Sequence, residues 1–278
     1  MSLTYLEYDF KVNPAQPGIE ILIAQLGQLG FESFVEYGTG VKAYIQENDF
    51  KPELLSEVQI LQSSEFDIAY SQRSIEQVNW NAEWEKNFKP ILVDDRCVVR
   101  APFHTSFQLP YEIVIEPKMS FGTGHHETTY MMLQWVLDED LRDKRVLDMG
   151  CGTAVLAILA SMKGAKRVDA IDIDPWCVEN SEENIVRNQC KAVHVLLGDA
   201  SVIPSEEKYD LILANINRNI LLNDLPTYSK VLAKGGLLFL SGFYTEDLEI
   251  IKSKAGEFGL KFVSHRDRND WISAKFVN

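Results

Sequence analysis

A chain of 278 residues is long enough for two domains, and its 24% charged and 46% hydrophobic residues are ordinary for a globular protein. Its longest apolar run, Val155 to Met162, is far too short to cross a bilayer, which argues against a membrane protein. A formal net charge of −14 argues against a nucleic-acid binder, because only the short clusters Lys163 to Arg167 and His265 to Arg268 could neutralise phosphates, and it makes a basic protein the more natural partner.

Met1 to Lys11 lacks the basic-then-apolar pattern of an export signal, so a cytoplasmic location is expected. From Thr4 to Val12 the chain alternates as a strand, Gly18 to Leu29 has a helical apolar period, and Ser33 to Ile45 reads as a hairpin turning at Gly38-Thr39-Gly40. Lys51-Pro52 then opens a helix to about Leu61, and Phe66 to Val78 supplies a further strand. This βαββαβ order predicts a ferredoxin-like α+β domain over residues 1–78. It holds no catalytic constellation, so substrate recognition is its expected role. Residues 79–94 read as a linker in which Trp80, Trp84 and Phe88, at i, i+4 and i+8, form one helical face packing the domains together. The remainder, 95–278, contains the chemistry.

Four cysteines, Cys97, Cys151, Cys177 and Cys190, have no metal-ligand spacing, so reduced thiols and no metal centre are expected. At 146–154 an apolar strand runs through Asp148 into Gly150 and Gly152, and then into a helical pattern from Val155. Two residues without Cβ atoms let the backbone turn sharply against a ligand, beside the free amides of a helix start. A dinucleotide fingerprint needs a third glycine where Val155 stands, so a pyrophosphate is poorly served. Asp-x-Gly-x-Gly instead suits S-adenosylmethionine, which has no phosphate and whose ammonium can be held near the turn.

Val168 to Ile173 is the next buried strand, and Asp172 lies about twenty residues past Gly150, where a carboxylate accepts ribose hydroxyls. Asp174-Pro175 reads as a helix start with Asp174 as its cap. Val193 to Leu197 forms a third strand, after which Asp199 is either an acceptor for an adenine amino group or an ordinary turn residue. Tyr209 to Ala214 leads into Asn215-Ile216-Asn217, at the strand end where open α/β sheets place chemistry. Enzymes that methylate planar nitrogens carry Asn-Pro-Pro-aromatic here; its absence points away from a base or glutamine amide and toward a tetrahedral amine. Leu237 to Ser241 and a helix from Thr245 to Phe258 follow. Leu260 to His265 and Trp271 to Phe276, too close for a crossover helix, predict an antiparallel terminal hairpin, which a dehydrogenase sheet lacks.

The segment Glu116-Pro117-Lys118-Met119-Ser120-Phe121-Gly122-Thr123-Gly124-His125-His126-Glu127-Thr128-Thr129 resembles the signature of the ribosomal protein L11 methyltransferase family, close to Asp-Pro-Gly-x-Ala-Phe-Gly-Thr-Gly-x-His-x-Thr-Thr. Val146 to Gly152, Ala170 to Pro175 and Leu213 to Ile216 resemble further family blocks in order, as does Trp80-Asn81 through Phe88 to Pro90. The resemblance implies an α/β fold: a Rossmann-like class I methyltransferase sheet, mostly parallel with an antiparallel C-terminal hairpin, beside the smaller N-terminal domain. It implies cofactor contacts from Thr129, Gly150, Asp172 and Asn215; Phe121, Gly122, Asp148, Gly152 and Asp199 complete the expected S-adenosylmethionine set. Asn215 and His126 are the candidate catalytic residues. For His126 three readings stand open: bonding its own turn, orienting the substrate amine, or accepting a proton.

The implied substrate is ribosomal protein L11, free or in the large subunit, methylated on lysine and N-terminal amines by a monomeric enzyme. An RNA methyltransferase, a small-molecule amine N-methyltransferase and a non-catalytic cofactor-binding module are the rivals. Glu116, Lys118, Ser120, Glu127 and Ala154 depart from the family pattern. Of these, Ala154 is expected to put a methyl on the surface where the methionine end of the cofactor would pack.

Overall fold

The computed structural model describes residues 4–76, 88–118 and 120–278. The chain divides into two compact units, residues 1–87 and 88–278. Trp80, Trp84 and most of the linker read at 79–94 lie outside the described residues; Phe88, the last ring of that expected face and the first residue of the second unit, lies tilted against His125 at 4.6 Å, and its carbonyl oxygen lies 2.7 Å from Nε2 of His104.

In the first unit, β1 (Thr4–Asn13), β2 (Ser33–Tyr37), β3 (Gly40–Gln46) and β4 (Asp67–Glu76) form an antiparallel sheet in the order β2-β3-β1-β4. Alternation along β1 turns Leu6, Tyr8, Phe10 and Val12 toward Ile19, Leu22 and Leu26 of the helix Ala15–Gln28. The expected second helix does not form. Lys51 to Leu61 instead makes two 3₁₀ turns, Pro52–Glu57 and Gln59–Gln62, parted by Val58 in an extended conformation. The apolar side chains of this stretch explain it: Val58 and Ile60, two apart, are both buried, which an extended residue between turns achieves and a 3.6-residue repeat does not. The displaced backbone is tied down where Ile60 N–H donates to Gln25 Oε1 at 3.0 Å.

The second unit is built on a seven-stranded sheet made of β8 (Arg145–Met149), β9 (Arg167–Asp172), β10 (Val193–Leu197), β11 (Tyr209–Asn215), β12 (Leu232–Tyr244), β13 (Lys261–Arg268) and β14 (Trp271–Val277). Its order is β10-β9-β8-β11-β12-β14-β13. The first five strands are parallel, β14 runs antiparallel to β12, and β13 antiparallel to β14; β13 extends three residues beyond the expected His265, leaving a connection of 269–270 that permits only the antiparallel arrangement. Parallel strands buried on both faces need apolar runs, which Val146-Leu147 and Leu211 to Ala214 supply. A small third sheet, β5 (Ile91–Val93), β6 (Cys97–Arg100) and β7 (Tyr111–Val114), leads into the signature loop; its short strands carried no periodic signal.

The direction of strand order reverses between β8 and β11, and a crevice opens there at their carboxyl ends. Among the described residues, no helix is long and apolar enough to cross a membrane.

Candidate functional site

A cleft of about 550 Å³ occupies this switch point, lined by the ends of β8, β9 and β11. Gly150 and Gly152 form its floor at φ +67° and +57°. Gly150 N–H and Cys151 N–H both donate to Ile171 O, at 2.8 and 3.1 Å, locking the turn to the end of β9. Gly152 is required by packing as well as by φ, because a Cβ there would stand 2.2 Å from the carbonyl oxygen of Phe121. That carbonyl accepts Thr153 N–H at 2.9 Å, and Thr153 Oγ1 donates to Gly122 O at 2.7 Å. The signature loop is thus fastened directly to the cofactor turn. Gly152→Ala is expected to cost about 1–3 kcal/mol by forcing the Phe121 backbone aside. A denaturant midpoint equal to wild type would show that the loop yields freely.

Asp172 is 7% exposed, and its carboxylate holds two backbone amides: Gly152 N–H at 2.8 Å on Oδ2 and Asp174 N–H at 3.0 Å on Oδ1. Each oxygen keeps a second lone pair, so the carboxylate is oriented by the turn and still able to accept hydroxyls. Asp174 stands at the start of the helix Pro175–Arg187 but makes no side-chain cap bond; it lines the cleft instead. Side-chain caps are made instead at two later starts, by Asp199 for Ser201 N–H at 2.9 Å and by Asn217 for Ile220 N–H at 3.2 Å. Asp199 therefore spends Oδ1 on its own turn while still lining the cleft.

Asn215, at the end of β11, donates through Nδ2 to Thr129 Oγ1 at 3.2 Å. Its Oδ1 is shut off from solvent and, among the described residues, has no hydrogen-bond partner. A buried carbonyl oxygen without a donor costs stability, and Asn215 is one of the residues that line the cleft. His126 caps the helix Glu127–Asp138, with Nδ1 accepting Thr128 N–H at 3.3 Å and lying 2.8 Å from Thr128 Oγ1. An Nδ1 that accepts leaves the proton of neutral imidazole on Nε2, so the ring offers a donor while the cap is intact. Of the three readings, bonding its own turn is the one seen in the geometry; proton acceptance would have to use the same Nδ1. The ring lies between Phe121, at 5.2 Å, and Trp271, at 4.7 Å.

Three residues expected to face the cofactor are not among those that line the cleft. Thr129 is buried and braces Asn215, while Thr128 lines the cleft in its place. Gly122 packs on Thr153. Asp148, 1% exposed, accepts Ala157 N–H at 3.1 Å beneath the turn. Burial, reinforced by the nearby Asp172 charge and opposed by the Ala157 hydrogen bond, pushes its carboxyl up to about 7. Because the folded value exceeds the unfolded one, near 4, Asp148 contributes stability that is fully present below pH 4 and lost as pH rises to 7, roughly 4 kcal/mol in all. Asp148→Asn, neutral at every pH, is expected to flatten that part of the thermal-stability profile. An unchanged slope between pH 4 and 7 would assign it to other groups.

The methyl of Ala154 does not lie where expected. Ala154 adopts a left-handed φ of 62° and is fully buried in the hydrophobic core beneath the turn, so the cleft surface is left clear. Sequence reasoning missed the apolar wall: Ile173 and Trp176, 66% and 54% exposed, with Ile216, Ile220 and Trp271. Ile173 was legible as the apolar residue following the strand-end acid. Trp271 was not, because it arrives from the terminal hairpin.

Four carboxylates, Asp172, Asp174, Asp199 and Asp224, line the cleft, and among its described lining residues there is no lysine or arginine. Such a wall repels phosphate and suits a cation. Burial raises the pKa of the Cys177 thiol, which stands beside the carboxylates of Asp172 and Asp174.

Comparison with known proteins shows the family. The sequence pattern of the family "Ribosomal protein L11 methyltransferase (PrmA)" matches residues 23–278. The chain belongs to this family. A ribosomal protein L11 methyltransferase of Phocaeicola vulgatus is 47% identical over 99% of both chains, and one of Bacteroides fragilis is 46% identical over 99% of this chain and 100% of the relative. The crystal structure of a ribosomal protein L11 methylase from Lactobacillus delbrueckii subsp. bulgaricus is similar with a TM-score of 0.63 and 25% identity, covering 68% of this chain and 98% of that one. Family membership accords with the class I methyltransferase sheet and its antiparallel terminal hairpin.

Proposed function

We propose that this protein transfers the methyl group of S-adenosylmethionine to amines of ribosomal protein L11, including lysine side chains. The observation that carries the reading is the acidic cleft at the carboxyl ends of β8, β9 and β11, with no lysine or arginine among its described lining residues and with Asn215, whose Oδ1 has no partner among the described residues, in its wall. Carboxylates and a glycine turn fit a cofactor that bears a sulfonium and an ammonium but no phosphate. When bound, the sulfonium supplies an already activated methyl group.

The residues then have separate tasks. Asp172, held by two backbone amides, accepts the ribose hydroxyls. Ile173 and Trp176 offer apolar surface to the base, and Asp199 an acceptor at its edge. Asn215 Oδ1 accepts an N–H, aiming the nitrogen lone pair, and Nε2–H of His126 offers a donor to the substrate from between the rings of Phe121 and Trp271. Catalysis is mainly positioning, since alignment of nitrogen, methyl and sulfur supplies most of the advantage. The amine must arrive uncharged: a lysine near 10.4 is mostly protonated at neutrality, an α-amine near 8 far less so. Water carries that proton away. The N-terminal unit is assigned to substrate recognition.

Methyl-labelled S-adenosylmethionine, incubated with the protein and unmethylated L11, free and within large subunits, tests this reading by mass spectrometry. Label on lysine or N-terminal amines of L11 is expected. Label confined to RNA or to small amines would overturn the substrate, and no transfer at all would overturn the activity.

A further inference from the structure

The helix Pro175–Arg187, which follows Asp172 and Asp174, turns two buried polar side chains onto the cofactor turn. Ser181 Oγ donates to Gly152 O at 2.7 Å, and Asn184 Nδ2 donates to Thr153 O at 3.1 Å. The Asn184 amide has a second partner: its Oδ1 accepts Glu116 N–H, the first amide of the signature loop, at 2.9 Å. Asn184 is fully buried. One side chain therefore bridges the peptide that shapes the cofactor floor and the peptide that starts the loop carrying Phe121 and His126. Arg187 reinforces the bridge, donating to Asn184 Oδ1 at 3.0 Å and to Glu116 Oε2 at 2.9 Å.

From this we infer that Asn184 is a positioning residue for methyl transfer, coupling the order of the 116–126 loop to the cofactor turn. An amide is the group that fits: one end must accept from Glu116 and the other must donate to Thr153, which a carboxylate, a hydroxyl and a hydrocarbon each fail to do at both ends. The direct fastening of Phe121 and Gly122 to Thr153 sets the middle of the loop, and Asn184 sets its entry, so both fastenings converge on one residue of the turn. A shift of the turn then moves the loop that faces the substrate amine.

Asn188, one helical turn further on, is the internal control. It holds Val114 by two similar bonds, at 2.8 and 2.7 Å, and donates to the Asn184 carbonyl oxygen at 2.8 Å, leaving the Asn184 side chain alone and making no hydrogen bond to the cofactor turn or the 116–126 loop.

The inference rests on the methyl-transfer reading for its kinetic arm only, so the experiment has a second arm without turnover. In hydrogen-exchange mass spectrometry with S-adenosylhomocysteine as the probe, peptides from 116–126 are expected to gain protection on binding in the wild type. Asn184→Ala is expected to lose that gain, with loop exchange roughly tenfold faster. Its kcat on L11 should fall about 10- to 100-fold, while S-adenosylhomocysteine affinity stays within about threefold. Asn184→Asp keeps the acceptor for Glu116 but has no donor for Thr153, and is expected to uncouple the loop as alanine does. Asn188→Ala should lower the unfolding temperature and leave both loop exchange and kcat at wild-type values. A folded Asn184→Ala protein with wild-type loop exchange and kcat would overturn the inference, and so would an Asn188→Ala protein with the same defects. If the wild type fails to methylate L11, the substrate reading falls, and the exchange arm still decides the role of Asn184.

Discussion

Asp172→Ala is expected to weaken S-adenosylhomocysteine binding by about 100- to 1,000-fold, read by isothermal titration. Hydrogen bonds to a charged acceptor contribute roughly 1.5–3 kcal/mol each, and a loss of about 3–4 kcal/mol corresponds to this range of affinity. The carboxylate is only 7% exposed and has two functions at once. It would accept ribose hydroxyls, and it already holds the amides of Gly152 and Asp174, so its removal also takes away one of the fastenings of the cleft floor to the end of β9, leaving the bonds to Ile171 O. Asp172→Asn separates these functions. It retains one acceptor and presents an N–H where a second acceptor is needed, so an affinity nearer to that of alanine than to that of wild type is expected. Wild-type affinity in Asp172→Ala would mean that the ribose is held elsewhere.

The second large effect is expected at Asn215. Asn215→Ala should lower kcat on L11 by about 100- to 1,000-fold, the range found when a single positioned polar group is removed from a reacting centre. Its Oδ1 has no partner among the described residues, so the folded protein loses no internal hydrogen bond at that atom; what disappears is the acceptor offered to a ligand. The other half of the amide braces Thr129, and Asn215→Asp distinguishes the two halves. Aspartate keeps an acceptor in the cleft and can accept from the Thr129 hydroxyl, so partial activity should return. Cofactor affinity measured alongside assigns the loss: a fall in kcat with affinity changed by less than about tenfold places the role at the transferring nitrogen. Unaltered turnover in Asn215→Ala would remove Asn215 from the mechanism.

The conditions of the two experiments are linked by charge. A cleft lined by four carboxylates attracts the protonated form of the substrate amine, which cannot attack. Neutralisation of that cleft by a cationic cofactor therefore does more than bind it: it removes a field that would keep the amine charged. A rate on L11 lysines that climbs with pH toward the amine pKa accords with this balance.

Much of the site could be read along the chain because its determinants are local. A turn that needs two positive φ values within three residues favours glycines, and Gly150 and Gly152 stand there. Strand ends at a switch point are marked by where an apolar run meets an acid or an amide, and Asp172 and Asn215 stand there. The antiparallel C-terminal hairpin followed from connection length alone, since no crossover fits between Arg268 and Trp271.

Where local reading failed, the deciding contact came from far along the chain. The stretch from Lys51 to Leu61 has helix-forming residues but becomes two 3₁₀ turns, because burying both Val58 and Ile60 against the N-terminal helix outweighs propensity. The methyl of Ala154 could have faced the ligand or the core, and packing beneath the turn placed it in the core. Thr128 and Thr129 are neighbours with equal claims on paper; the direction in which the helix from Glu127 meets β11 put one in the wall and the other behind Asn215.

By itself, then, the order of residues determined the strands of the seven-stranded sheet, the glycine turn and the strand-end positions of Asp172 and Asn215, and argued against pyrophosphate, because each is a constraint between residues close in the chain. The tertiary structure alone decided that Trp271 meets His126 at 4.7 Å, that Asp148 is desolvated until its carboxyl titrates at about 7, and that the Asn184 amide joins Glu116 to Thr153. Those properties arise from residues brought together across tens of positions, where burial and distance set the energy and no local pattern records them.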